Sequence, residues 1–208
     1  MSSTNDIQLL VNAMRSALDS RIIDLHTAMP AQIVSFNAAE STCSVKPSIK
    51  RKLADGTVQE LPVIQNVPIC YPQGGGAIIS FPLAVNDPVL LVFAERSLDI
   101  WWTKGGTVDP LDARKHNLSD AIAIPGCAPR PRASARVSTQ YLRMEMSNAS
   151  IELQPSGKFK IQKIGGDEVL DLISQTLQAM STASNAAGPL FNAATFAALK
   201  VKIDALKG

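Results

Sequence analysis

The sequence is poor in the residue types that hold metals or form disulfides. Only 3 cysteines and 2 histidines occur among 208 residues. The cysteines (Cys43, Cys70 and Cys127) are odd in number, widely spaced and without a CxxC pair, which argues against both a disulfide framework and a zinc site. We therefore expect buried free thiols in a reducing compartment, and neither a metal nor a cofactor.

Aromatic residues, charge of one sign and long apolar runs are scarce as well. Aromatic residues make up 5% of the chain and the formal net charge is +2, whereas a dedicated nucleic-acid binder is strongly basic. No apolar run approaches the roughly 20 residues that span a bilayer. The N-terminal sequence MSSTNDIQ also lacks the basic and apolar regions of a signal peptide. We expect a protein made in a cytoplasm that is not integral to a membrane.

What the chain does contain is 46% apolar residues, and the strongest strand signal lies between Asn86 and Trp102. Val89–Ala94 is an unbroken apolar run after a turn signal, which is typical of a strand buried on both faces. The only two tryptophans, Trp101 and Trp102, follow it. Each can bury a large apolar area, so we expect this pair to anchor a barrel by plugging its end.

Upstream, the pattern predicts a helix and then a barrel. Residues 4–27 have the spacing of an amphipathic helix that ends before Pro30. Its apolar stripe either packs on its own barrel or docks on a neighbouring subunit or partner, and both alternatives stay open. Between residues 31 and 94, about five short strands separated by Gly, Pro and Asp-Gly turns indicate a small closed barrel of OB type. The stripe consists of Ile7, Leu10, Val11, Met14, Leu18, Ile22 and Leu25.

Downstream of a stiff Pro/Arg linker, residues 136–164 alternate strictly between apolar and polar side chains. Three short strands with one apolar face each are too little to fold alone, and the simplest partner is another copy of the chain. We expect Arg143, Glu145, Lys158 and Lys160 on the outer, solvated face. The predicted trimer core consists of Leu142, Met144, Met146, Ile151, Leu153, Phe159 and Ile161.

The C-terminal segment predicts two short helices with narrow apolar seams. Such seams are typical of coiled-coil surfaces, with an intrachain helical hairpin as the alternative. The seam residues are Leu170, Ile173, Leu177, Phe196, Leu199 and Ile203.

Three stretches carry a resemblance to a known family: Val89–Trp102 (VLLVFAERSLDIWW), His116–Ala121 (HNLSDA) and Ile124–Gly126. They resemble the trimeric central spike proteins of contractile-tailed phage baseplates, also described as membrane-puncturing spikes or baseplate assembly proteins. The order of parts is similar too, over about residues 28–165. The resemblance implies a barrel docked under a tail hub protein and a trimeric β-helix needle that crosses the host outer membrane when the sheath contracts.

The sequence departs from that family at its end. Many members close in an apex where an HxH motif from three chains holds iron, but His26 and His116 are the only histidines here. A pointed iron tip is therefore not expected. Three alternatives stay open for the C-terminal helices: they trimerise, they fold back, or they carry a separate tip protein.

Enzyme chemistry is not indicated by any motif. Ser97, Asp99 and His116 supply the residue types of a hydrolase triad, but no G-x-S-x-G elbow surrounds the serine. We expect no catalytic residue. Because basic side chains can contact phosphates, two basic clusters support an alternative function, a single-stranded nucleic-acid binder of OB type. These clusters are Lys46, Lys50, Arg51 and Lys52, and Arg130, Arg132 and Arg136.

The sequence thus predicts a mainly β protein with terminal helices, in four parts. These are an N-terminal helix (1–28), an OB-fold-like barrel (29–128), a linker with a short intertwined trimeric β-helix or prism (129–165), and a C-terminal helical segment (166–208). The predicted function is a homotrimeric central spike in the tail baseplate of a virion, assembled in the host cytoplasm. Expected partners are further copies of the chain, the hub protein, a separate tip protein and, transiently, the host envelope, with no specific nucleic acid.

Overall fold

The computed structural model describes residues 2–23, 25–53, 55–132, 137–185 and 188–207. The chain divides into two units, Met1–Ala133 and Ser134–Gly208. The first unit contains a long helix followed by a small barrel, and the second contains a three-stranded sheet followed by two helices. The protein is mainly β with helices toward both ends, as the sequence predicts.

The first unit begins with α1 (Ser2–Ile23), which is shorter at its C-terminal end than the predicted helix. Pro30 lies inside a strand and does not mark the end of the helix. Its missing N–H is tolerated because this strand pairs with a second neighbour only from Ala31 onward. The strands are β1 (Ala28–Asn37), β2 (Thr42–Pro47), β3 (Arg51–Lys52), β4 (Val58–Gln59), β5 (Ile64–Pro68), β6 (Gln73–Gly74), β7 (Ala77–Ile78), β8 (Pro88–Phe93) and β9 (Ala121–Pro125), with a short helix α2 (Asp99–Lys104) between β8 and β9 and a 3₁₀ turn at Arg130–Arg132.

Five of these strands form one antiparallel sheet in the order β5-β2-β1-β8-β9. The sheet curls until its two edges meet. Ile69, just after β5, forms a parallel bridge with Ala123 of β9, and the Cys70 N–H donates to the Ala123 carbonyl at 2.8 Å. Five strands in this order, with a parallel contact between the edges, form the partly open barrel of an OB fold. The predicted OB-like barrel is confirmed.

The barrel interior is filled by alternate residues of each strand. On β8, Val89, Leu91 and Phe93 are buried, whereas Leu90 and Val92 between them are only half-buried. The expectation that this strand is buried on both faces is therefore wrong, because a single-layered barrel has one interior. The core residues are Ala31, Ile33, Cys43, Val45, Ile64, Val67, Ile69, Tyr71, Val89, Leu91, Phe93, Ala121 and Ala123.

The cysteines differ in their surroundings. Cys43 lies in the core, and burial raises the pKa of its thiol to about 11. Cys70 and Cys127 are exposed, so the expectation of three buried thiols is wrong for these two. All three are free, as the sequence predicts.

The second unit contains the three strands that the alternating pattern predicts. They form an antiparallel sheet in the order β10-β11-β12, in which Met144 lies opposite Ile151 and Ile151 lies opposite Ile161. The elements of this unit are β10 (Leu142–Met146), β11 (Ala149–Leu153), β12 (Phe159–Lys163), α3 (Val169–Thr182), the two-residue strands β13 (Ser184–Asn185) and β14 (Gly188–Pro189), and α4 (Ala193–Leu206).

The two C-terminal helices pack on each other as an antiparallel hairpin. Near the start of α3 and the end of α4, Ser174 donates to Asp204 at 2.7 Å, and Lys207 lies 2.8 Å from Asp171. The ion pair with Lys200 and the bond from Ser174 hold the pKa of the Asp204 carboxyl below its usual range. The intrachain alternative is therefore correct for these helices. The hairpin buries Leu170 and half-buries Leu177, Phe196 and Ile203, while Ile173 and Leu199 of the same seam stay exposed.

The two leucines of β8 allow a direct test of the barrel. Leu91→Ala removes a fully buried side chain and should lower the free energy of unfolding by about 2–5 kcal/mol. Leu90→Ala is the matched control, because it makes the same chemical change on the half-buried face and should cost less than half as much. Urea denaturation of the full chain measures both. Equal losses for the two variants would contradict the assignment of β8's inner face.

Candidate assembly surface

The sheet of the second unit has its apolar face exposed. Every predicted core residue of β10, β11 and β12 lies on this face, and all but the half-buried Phe159 have exposed fractions between 36% and 67%. The antiparallel register places them in cross-strand rows, such as Leu142, Leu153 and Phe159. The structure thus brings together the seven residues that the sequence analysis selected. Burying each of these side chains would gain about 1.5–3 kcal/mol, so the exposed face is suited to a partner surface.

The opposite, polar face of the same sheet is the covered one. Arg143 lies 2.6 Å from Glu145 on its own strand and 3.7 Å from Glu152 on the neighbouring strand, and Ser150 is buried between the flanking strands. Arg143 and Glu145 are mostly buried and Lys160 is half-buried, so the expected solvated face is wrong except at Lys158. The physical reason is that oppositely charged side chains on neighbouring positions pair and shield one another.

The carboxylate of Glu168 links the first turn of α3 to this sheet. Glu168 accepts hydrogen bonds from the Ile161 N–H of β12 at 3.0 Å and from the Asp171 N–H at 2.8 Å. The second of these bonds caps the start of α3. Glu168 therefore helps to fix the position of the helical hairpin relative to the sheet, together with isolated β-bridges that join Gln162 to Glu168 and Phe159 to Lys207.

Helix α1 is also exposed along its apolar stripe. Ile7, Leu10, Met14, Leu18 and Ile22 have exposed fractions between 59% and 67%. The alternative in which the stripe packs on its own barrel is therefore wrong. The helix projects a row of apolar side chains that nothing in the described part of this chain covers.

The tandem tryptophans do not plug the barrel. Trp101 and Trp102 lie on α2 with their ring centres 6.5 Å apart, and their exposed fractions are 44% and 43%. The expected anchor is wrong because α2 is a six-residue helix with no buried side chain. Its rings lie on the outer surface of the barrel end.

An ion pair between the buried Asp120 and the half-buried Arg114 holds the barrel end in place of the tryptophans. Asp120 is fully buried just before β9, and it accepts hydrogen bonds from Arg114 Nε at 2.8 Å and from the Leu98 N–H at 3.0 Å. Arg114 also donates to Asp99, at 2.6 Å, and to Ser97, at 2.8 Å. Hydrogen bonding to Asp120 raises the pKa of Arg114 above its already high usual value. The arginine is therefore permanently charged and joins α2, its loop and β9.

Arg114 also binds two of the three residues that supply the types of a hydrolase triad. Ser97 and Asp99 both have the guanidinium of Arg114 as a partner, and a permanently charged arginine cannot act as a base. The carbonyl of His116 accepts a hydrogen bond from the His26 N–H at 3.1 Å. The sequence analysis missed Arg114, and its one available signal was an acidic residue, Asp120, at the start of an otherwise apolar strand.

The remaining candidates are groups of possible metal ligands and the basic cluster around Lys46. Within the described ranges, no group of three or more His, Cys, Asp or Glu side chains is placed to hold a metal ion. No described helix is long and apolar enough to cross a membrane. In the basic cluster, Lys46 and Lys50 both pair with Glu60, at 2.6 and 3.2 Å, and these bonds lower the pKa of the Glu60 carboxyl.

Comparison with known proteins places the barrel in a viral context. Residues 29–126, just under half of the chain, match the family model of the phage protein Gp138 N-terminal domain. The match supports a phage structural protein. It covers α2 and the five barrel strands except for Ala28, the first residue of β1, and it ends before the second unit. No curated protein matches the chain.

The Arg114–Asp120 pair leads to a stability prediction. Asp120→Ala leaves the guanidinium without its buried partner and should lower the free energy of unfolding by about 3–5 kcal/mol. Asp112→Ala is the matched control, because Asp112 also binds Arg114, at 3.0 Å, but is exposed, and it should cost less than about 1 kcal/mol. Thermal or urea unfolding of each variant distinguishes them. Similar losses would show that the buried pair has no special role.

Proposed function

We propose that this protein is a homotrimeric component of the central spike in a contractile phage tail baseplate. In this role it attaches below the tail hub and helps to pierce the host cell envelope, or carries the tip that does so. The observation that carries the proposal is the exposed apolar face of β10, β11 and β12, in a chain whose barrel matches a phage protein family. The resemblance of Val89–Trp102 to spike proteins supplies the contractile tail and the baseplate.

Three copies of the sheet give a physical account of the exposed face. Around a threefold axis, each apolar face meets two others, and the three together enclose one core. A prism of this kind transmits axial force because its chains share a core and cannot separate one contact at a time. The mechanical role thus follows from the same residues that make the isolated sheet unfavourable in water.

The exposed stripe of α1 is a second contact in this proposal. We assign its partner as the hub protein, because the helix precedes the barrel that the family resemblance places under the hub. At the other end of the chain, Phe191 in the connection between α3 and α4 is fully exposed. Since α4 folds back on α3, the bend of the hairpin offers Phe191 as a contact for a separate tip protein.

A nucleic-acid role gains no support from the geometry. Such a role needs a basic groove with stacking aromatic side chains. Two lysines of the basic cluster are paired with Glu60. We therefore propose no specific nucleic acid as a partner and no enzymatic activity.

Light scattering tests the trimer directly. The full chain should have a solution mass of about 67 kDa, three times the 22.2 kDa of one chain. Replacing Met144 and Ile151 together by Glu places charges in the shared core and should give monomers. Lys158→Glu is the control, because Lys158 is exposed on the turn before β12, and it should remain trimeric. A monomeric wild-type chain at micromolar concentration would refute the proposal, and so would a trimeric double variant.

The position in the particle requires a second measurement. In assembled phage, an antibody or gold label on an epitope tag fused after Gly208 should mark the distal end of the tail, on its axis. A control tag on the major capsid protein should mark the head. Labelling of the head, the sheath or the peripheral fibres by the first tag would contradict the baseplate assignment, even if the chain is a trimer.

A further inference from the structure

An open groove of about 810 Å³ lies at one end of the barrel in the first unit. One side is formed by β2 and β5, through residues such as Thr42 and Pro68. Glu40 in the β1–β2 turn and Trp102 on α2 complete its walls. In chain order, β2 and β5 are the second and third strands of the barrel. Glu40 and Trp102 lie in the connections that follow its first strand, β1, and its fourth strand, β8. OB folds bind oligonucleotides and oligosaccharides at this position.

The groove lining argues against an anionic ligand. Its polar groups are the carboxylates of Glu40 and Asp99, the amides of Gln65 and Asn66, and hydroxyl groups. Among the described residues that line it, none is lysine, arginine or histidine. A phosphate chain would meet two carboxylates and no cation, so an oligonucleotide is disfavoured.

The two carboxylates are also poorly suited to attract a basic peptide. Asp99 already has Arg114 as a partner at 2.6 Å. Glu40 accepts a hydrogen bond from the Asn37 side chain at 3.1 Å. Both carboxylates are therefore held in position as hydrogen-bond acceptors, while the neighbouring amides offer donors and acceptors together. A ligand rich in hydroxyl groups satisfies such a set, because every hydroxyl both donates and accepts.

Trp102 supplies the flat apolar surface that a sugar ring requires. Trp102 is 43% exposed and is one of the residues that line the groove. The backbone N–H of Trp102 donates to the Leu98 carbonyl at 2.8 Å, and the Leu98 N–H donates to the buried Asp120. The backbone that carries Trp102 is thus fixed before any ligand arrives, which reduces the entropy lost on binding. The C–H face of a pyranose ring can stack on the indole while the hydroxyl groups at its rim meet the polar side chains.

We propose that this groove binds a neutral oligosaccharide. Trp102 stacks against one sugar ring, Glu40 and Asp99 accept hydrogen bonds from its hydroxyl groups, and Gln65 and Asn66 orient the neighbouring ring. The site is complete within one chain, so it does not depend on the trimer or on the spike role.

Neighbouring tryptophans provide a matched test. The full chain is applied to an array of neutral hexose and N-acetylhexosamine oligosaccharides, with sulfated versions of the same glycans, an oligolysine peptide and oligo-dT as the other classes. We expect binding to at least one neutral glycan, with a change in tryptophan fluorescence. Trp102→Ala should weaken that binding about tenfold or more, since one stacked ring is lost. Trp101→Ala should change it less than about twofold, because Trp101 is equally exposed but is not among the groove residues.

A second variant guards against a folding defect on α2. Gln65→Arg on β5 leaves α2 untouched and places a long side chain in the groove, so it should also weaken binding about tenfold or more. Circular dichroism and the solution mass confirm that each variant is folded and assembled. Failure to bind any neutral glycan overturns the proposal, as does an equal loss in the two tryptophan variants. Tighter binding to oligolysine or oligo-dT overturns it too, and would assign the groove to a basic protein or to nucleic acid.

Discussion

The structure of the second unit depends on one constraint. The two faces of its three-stranded sheet cannot exchange places. A strand has two faces, and a shift of one residue in the register would exchange them. Here Arg143 is paired with Glu145 and Glu152 on one face, and Glu168 ties β12 to the start of α3. Separating these buried charges would cost several kcal/mol each, which outweighs the gain from covering any single apolar side chain. The apolar face therefore stays outward, and only another surface can cover it.

The first unit separates folding from assembly in the same way. Its core is confined to the inside of the barrel, where Val89 and Leu91 are fully buried. The apolar residues of α1 and the two tryptophans of α2 lie outside this core and remain exposed. Monomeric proteins rarely expose so many large apolar side chains in contiguous rows. Both units thus fold around modest interiors and retain surfaces that suit a multi-subunit structure.

The sequence allowed the barrel and the three strands to be predicted because both depend on local signals. Turn residues such as Asp55-Gly56 separate the barrel strands, and the alternation around Met144 and Ile151 defines two faces. The same alternation does not say which face is covered, so the polar face around Arg143 was assigned wrongly. The apolar spacing of the seam from Leu170 to Ile203 is the same for a helix that packs on another chain and for one that packs on the next helix, so it does not identify the partner. Arg114 was missed because its partner, Asp120, is defined by a long-range contact and not by any periodicity.

The buried pair also explains how so short an element as α2 keeps a fixed position. Six residues are too few for a stable isolated helix, and α2 has no buried side chain to hold it. Asp120 fixes the residue before the helix through the Leu98 N–H, and Arg114 fixes its first residue through Asp99. Both contacts lead back to Asp120 at the start of β9, because Arg114 also binds Asp120, so the backbone of α2 is tied to the barrel. A charge inside the fold thereby positions the short helix that carries Trp102.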